Sequence, residues 1–191
     1  KTIATPHIDE LAANGIRFTN AYAPASTSSP SRYALLTGEY AFRKRVGILP
    51  ADAPLTIDPQ SNNLPLQLKS SGYTTGIVGK WHLGLGNRNE TVDFNKKITA
   101  GMRSVGFDYS YIFPATNDRV PTIFLENDQV VNGDPNDPIK VSYRKKIGNE
   151  PTGKENPDLL TLKYYQGHDG TIINGISRIG WMSGGHKARW N

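Results

Sequence analysis

Residues 26–40 read STSSPSRYALLTGEY. Four serines fall within six residues, with a proline among them; an arginine and a short apolar run follow, closed by Gly38. A linker would account for the serines but not for the ordered RYALLTG. Pro30 suits a first helical position with Ser29 as the cap, and Gly38 suits the stop, so the pattern predicts a helix over 30–37. Ser28 then lies just ahead of a helix N-terminus, where unpaired N–H groups and the positive end of the dipole converge. Arg32 falls in the first turn, where a cation opposes that dipole. Holding an oxyanion beside Ser28 would explain it. The plain alternative is a loop and cap with Arg32 facing water, because Ser-Pro helix starts are common.

Working outward, TPHIDELAANG upstream is punctuated as a helix, with Thr5 as cap, Pro6 at the first position and Gly15 as stop. IRFTNAY, residues 16–22, alternates Ile16, Phe18 and Tyr22 and predicts a strand. Downstream, NLPLQLKSSG repeats the helix pattern with Asn63 as cap and Gly72 at its end, and YTTGIVGKW predicts a β-branched strand. Residues 1–84 therefore alternate helix and strand, which implies an α/β domain with a largely parallel sheet. Beyond them, VPTIFLENDQVVNGD predicts a hairpin turning at Asn127-Asp128. Residues 132–158, rich in Gly, Pro and Asn, predict a long surface loop that shapes a site.

The chain has 191 residues, 37% hydrophobic, enough for one medium domain with a core. Its net charge of +5 lies entirely in residues 140–191, with 9 basic and 4 acidic side chains; residues 1–139 balance at 13 and 13. Those nine basic residues are scattered among Gly, Pro and Asn rather than set along a helix with interleaved aromatics, which argues against nucleic-acid binding. No apolar run approaches the roughly 20 residues of a membrane span. There are no cysteines, so disulfides and thiolate metal sites are excluded.

A second cluster, GKWHLG, places Lys80 and His82 two residues apart at the end of the predicted strand, with both side chains on one side. Carboxyl ends of strands are where α/β sheets gather catalytic groups. The alternative is a surface lysine beside a histidine packed by Trp81.

SSPSRYALLTG resembles the signature of the type I sulfatases through Ser28, Pro30, Ser31, Arg32, Leu36, Thr37 and Gly38. GYTTGIVGKWHLG resembles that family's second signature, 48 residues on from Ser28 to Gly76. The resemblance implies an alkaline-phosphatase-like three-layer α/β fold with a mostly parallel central sheet. Residues 1–191 would be part of the N-terminal catalytic domain, with the first metal-binding strand and the C-terminal part lying outside the chain. It also implies a sulfuric ester hydrolase acting on a sulfated carbohydrate. Ser28, oxidised to Cα-formylglycine by an anaerobic-type maturation enzyme, would be the nucleophile and a ligand of Ca2+. The remaining metal ligands would lie outside the chain. Arg32 would stabilise the hydrated aldehyde, Lys80 would clamp the sulfate, and His82 would orient the diol or relay a proton. A gem-diol makes chemical sense here: after one hydroxyl takes the sulfate, the other can expel it by re-forming the carbonyl. Family habit implies a periplasmic or secreted bacterial protein.

FPATNDRVPT follows another predicted strand. By the same resemblance Thr116 and Asn117 are candidates for touching the sulfate, and Arg119 could read a sugar hydroxyl or carboxylate; an Asn-Asp turn is the alternative. His168 would line the pocket or lie on the surface, and His7 and His186 receive no role. Tyr164, Tyr165, Trp181 and Trp190 would stack on sugar rings or pack in the core. Two rivals remain open: a phosphomonoesterase or phosphonate hydrolase of the same superfamily using unmodified Ser28, and a non-catalytic sulfated-glycan-binding relative.

Overall fold

The computed structural model describes residues 2–162 and 167–190. Tyr164 and Tyr165 lie outside the described residues. Three helices precede the sheet: α1 (Pro6–Asn14), α2 (Ser28–Thr37) and α3 (Leu64–Ser70). Each carries part of the punctuation read in the sequence, although Thr5, at the start of α1, makes no side-chain cap bond to it. Pro6 opens α1; Gly38, at φ 71°, ends α2 with its N–H on the Ala34 carbonyl; Asn63 caps α3 by accepting the Leu66 N–H at 3.0 Å.

The main sheet has four strands in the order β1 (Gly76–Lys80), β2 (Tyr109–Phe113), β3 (Leu125–Glu126) and β4 (Gln129–Val130). It is mixed. β1 and β2 run parallel, with Gly76 opposite Tyr109 and Lys80 opposite Phe113, while β2–β3 and β3–β4 are antiparallel. The β3–β4 hairpin turns at Asn127-Asp128 as expected, with Asn127 at φ 55°. Two small antiparallel pairs complete the chain: β5 (Lys140–Ser142) with β8 (Trp181–Ser183), and β6 (Ile172–Ile173) with β7 (Ile176–Ser177). The core lies under the sheet and the turn after β1, built from Trp81, Leu83, Met102, Val105, Ile112, Ile123, Leu125 and Met182. Trp81 is anchored through its indole N–H on the Gly84 carbonyl, which fixes the chain just past β1.

Three expectations are corrected. Residues 16–22 are not a strand: Ile16, Phe18 and Tyr22 are exposed, and no described strand lies alongside to complete a ladder. Ser29 is not the cap of α2. The helix starts at Ser28 after Thr27, and Ser29 is fully buried with its hydroxyl accepting the Leu49 N–H at 3.3 Å. Residues 132–158 are more than a surface loop. They contribute β5, and Thr152 bridges Thr171, because the turn-rich composition hides a short strand that needs a partner some 40 residues later. Among the described residues no helix is long and apolar enough to cross a membrane.

Candidate active site

The start of α2 meets the end of β1. Arg32, one turn into the helix, turns back to Ser28, donating from Nε to Ser28 Oγ at 3.3 Å and from Nη1 to the Lys80 carbonyl at 2.8 Å. One guanidinium therefore ties the helix to the strand, which answers why a cation tolerates an unfavourable place in the dipole. His82 does not continue the strand. β1 ends at Lys80, and His82 sits at φ 51°, a conformation uncommon for a residue with a side chain. The kink is held by backbone bonds from Trp81 N to Phe113 O and from His82 N to Pro114 O. Lys80 and His82 thus do not share the simple alternation of one strand.

The imidazole is buried at 2% exposure, and its partners assign its tautomer. Nε2 is 2.9 Å from the Leu49 carbonyl, so it carries the hydrogen and donates. Nδ1 then accepts the Ser28 hydroxyl at 3.2 Å. Arg119 Nη1 donates to the same Leu49 carbonyl at 2.9 Å and lies 3.1 Å from Nε2. The result is a directed line of hydrogen bonds from Arg32 through Ser28 and His82 to Leu49.

Charge around this line is one-sided. Burial, against the Leu49 hydrogen bond and with Lys80, Arg119 and Arg32 adding, brings His82 down to about 4, so the ring is neutral near pH 7. Burial lowers Lys80 as well, helped by Arg32 and Arg119 and opposed by Asp118. Burial also lowers Arg32. Asp118 is the carboxylate of the group. Burial pushes it up, but Thr116, His168 and Arg119 outweigh that and leave it below its usual range. It is already engaged, 2.9 Å from His168 Nε2. Three partly desolvated cations and a neutral base with so little counter-charge form a site built for an anion.

The structure brings Ser28, Arg32, Lys80, His82 and Arg119 together. It does not bring Thr116 and Asn117 into the hydrogen bonds around Ser28: Thr116 shapes the turn by accepting the Arg119 N–H at 3.1 Å, and Asn117 is exposed with its carbonyl on the Arg178 guanidinium. His7 is exposed, His186 is flanked by Asp137 and Glu150, and Trp190 packs under Arg178. Two features escaped sequence reasoning: the Leu49 carbonyl, a main-chain group with no side-chain signature, and the partner of His168, since Asp118 lies 50 residues away. Among the described residues no group of three His, Asp or Glu side chains could hold a metal, and the cationic surroundings of Ser28 do not fit Ca2+ unaided.

The Sulfatase family model matches residues 1–171. An N-acetylgalactosamine-6-O-sulfatase of Bacteroides thetaiotaomicron is 56% identical over 189 residues, 98% of this chain and 37% of that protein. Human arylsulfatase A is 44% identical over 89 residues, 43% of this chain and 17% of that protein. A solved structure from work on the metabolism of multiple glycosaminoglycans by Bacteroides thetaiotaomicron superposes with a TM-score of 0.90 at 56% identity, covering 98% of this chain and 39% of that one. The chain thus spans little more than a third of the relative it matches over nearly all its length. With the family match running through the α2 and β1 signatures and the fold agreeing, the chain belongs to the Sulfatase family.

Proposed function

We propose that this chain supplies the nucleophile region of a sulfuric ester hydrolase that removes sulfate from a sulfated carbohydrate. The similar relative points to N-acetylgalactosamine 6-sulfate. The observation that carries the reading is Ser28 Oγ held between Arg32 Nε and a neutral His82 Nδ1 beside Lys80. In this reading Ser28 is oxidised to formylglycine by a dedicated maturation enzyme. The hydrated aldehyde supplies an attacking hydroxyl and, in its second hydroxyl, a way to expel sulfate. His82 accepts the proton of the group at position 28 through Nδ1, being uncharged and fixed by Leu49. Arg32 fixes that group through Nε, and Lys80 and Arg119 face the negative charge that gathers on the sulfate oxygens. In this reading Thr116 and Asn117, in the turn that Arg119 closes, touch the substrate rather than the group at position 28. Ca2+ belongs to the reading, with the group at position 28 as this chain's ligand and carboxylate ligands from outside it. A periplasmic or secreted location in a bacterium goes with a polymeric sulfated substrate.

The test is hydrolysis of N-acetylgalactosamine 6-sulfate by the full-length protein in 18O-labelled water. Label in the released sulfate is expected, because the S–O bond breaks; label in the sugar hydroxyl would reject the mechanism. A second reading, phosphate monoester hydrolysis by unmodified Ser28, is favoured by the hydroxyl already lying 3.2 Å from a neutral imidazole. It predicts phosphate release without oxidation of Ser28.

A further inference from the structure

Arg178, the residue that follows β7, is buried at 3% exposure although its guanidinium is charged. Two main-chain oxygens and a ring hold it. Nη1 donates to the Asn117 carbonyl, and Nη2 donates to the Ile173 carbonyl at 3.1 Å, at the end of β6. The guanidinium carbon lies 5.2 Å from the centre of the Trp190 ring. Taking a guanidinium out of water costs free energy that an apolar residue of similar size does not cost. Packing alone therefore gives no reason for an arginine here. What the arginine supplies is a planar fork that fixes two loop carbonyls relative to one another.

One of those carbonyls belongs to the turn that carries Arg119. Segment 117–120 is bound by Arg178 and its neighbour in three places. The Arg178 side chain takes the Asn117 carbonyl, the Ile179 N–H donates to the Asp118 carbonyl at 2.7 Å, and the Ile179 carbonyl accepts the Val120 N–H at 3.1 Å. Trp190, stacked on the guanidinium, donates its main-chain N–H to the Thr122 carbonyl at 2.9 Å, so the stack is anchored to the far end of the same loop. Arg119 lies between these anchors. Its Nη1 donates to the Leu49 carbonyl at 2.9 Å and stands 3.1 Å from His82 Nε2. Both contacts depend on where the 117–120 backbone sits, and a misplacement of about 1 Å can cost about 100-fold in rate.

We propose that Arg178 is a positioning residue for the sulfatase reaction: by gripping the Asn117 carbonyl from below, with Trp190 as its backing, it fixes where the Arg119 guanidinium stands against Leu49 and His82. This rests on the sulfatase reading, in which Arg119 faces the sulfate, and adds to it a buried residue that acts through Arg119 and not on the substrate.

A double-mutant cycle on the full-length, converted protein tests it. Arg178→Lys keeps a cation against Trp190 but replaces the fork by a single point, so it holds one carbonyl and releases the other. It is expected to lower kcat/KM for N-acetylgalactosamine 6-sulfate about tenfold. In an Arg119→Met background the same change is expected to alter kcat/KM less than about twofold, because the group it positions is gone. A merely structural residue gives two losses that multiply. Multiplying losses would overturn the proposal, as would an Arg178→Lys protein within about twofold of wild type; in both cases sulfate release by the wild-type protein leaves the sulfatase reading standing. Should Arg178→Lys fail to fold, Trp190→Leu loosens the guanidinium without removing it and runs the same cycle, with an expected loss of about threefold that Arg119→Met again absorbs. A wild-type protein that releases no sulfate would bring down the sulfatase reading and this role with it.

Discussion

Replacing Arg32 by lysine keeps the positive charge and removes the fork. In the structure one guanidinium serves two acceptors, the Lys80 carbonyl at 2.8 Å and Ser28 Oγ at 3.3 Å, from two nitrogens fixed in one plane. An ammonium has one position, and the shorter bond to the Lys80 carbonyl is the one it keeps. The bond lost is then the one to the group at position 28. A hydrogen bond involving a charged partner is worth about 1.5–3 kcal/mol. At about 1.4 kcal/mol per factor of ten, Arg32→Lys lowers kcat/KM for the sulfated sugar about 10- to 100-fold. Because the charge facing the anion persists, the loss falls mainly on kcat. The assay is sulfate release by the full-length protein, normalised to the fraction converted at position 28, with the unfolding midpoint measured alongside. Midpoints should agree to about 1 kcal/mol, since the tie to β1 survives. Activity within about threefold of wild type at an unchanged midpoint would refute the fork argument.

Gly84→Ala tests the close approach that holds segment 49–54 in place. At φ 81° its new Cβ would lie 1.9 Å from the Pro54 carbonyl oxygen, so a loss of about 3 kcal/mol or more is expected in denaturant unfolding. Asn63→Ala removes a buried cap from α3 and should cost about 1–2 kcal/mol in the same measurement. Asp108 joins the end of α3 to the starts of β1 and β2: Lys69 first, then the Thr75 amide, bring its carboxyl down to about 2. Its folded value lies below the unfolded one, so its contribution is present above about pH 4 and is lost as pH falls toward 2. Asp108→Asn should therefore flatten acid unfolding across that window, and an unchanged acid profile would contradict it.

Much of the local structure was legible where a single residue type has a single physical use. Pro6, Gly38 and Asn63 marked helix ends, and Asn127-Asp128 marked the hairpin, because fixed φ, left-handed turns and side-chain caps are properties of those residues alone. Ser28, Arg32, Lys80 and His82 were readable as a group through the two signatures, and the fold does bring them together. What stayed hidden depends on partners far along the chain. The alternation of residues 16–22 is real, yet alternation makes a strand only where another strand supplies the ladder. Ser29 looks like a cap by position and instead satisfies the Leu49 amide. The left-handed turn at His82 and the Leu49 carbonyl that fixes its tautomer are main-chain features, invisible in side-chain patterns. β5 disappeared into a turn-rich stretch because its pairing with β8 is long-range.

The central claim is that Ser28 is a precursor and not the final nucleophile. Its most direct test is mass spectrometry of the tryptic peptide spanning residues 18–32 from the full-length protein, natively expressed in a host that carries the maturation enzyme. The account predicts loss of two hydrogens at Ser28 and capture of the new aldehyde by a hydrazide. An intact Ser28 in that host would contradict it, and phosphate transfer by the unmodified serine would take its place.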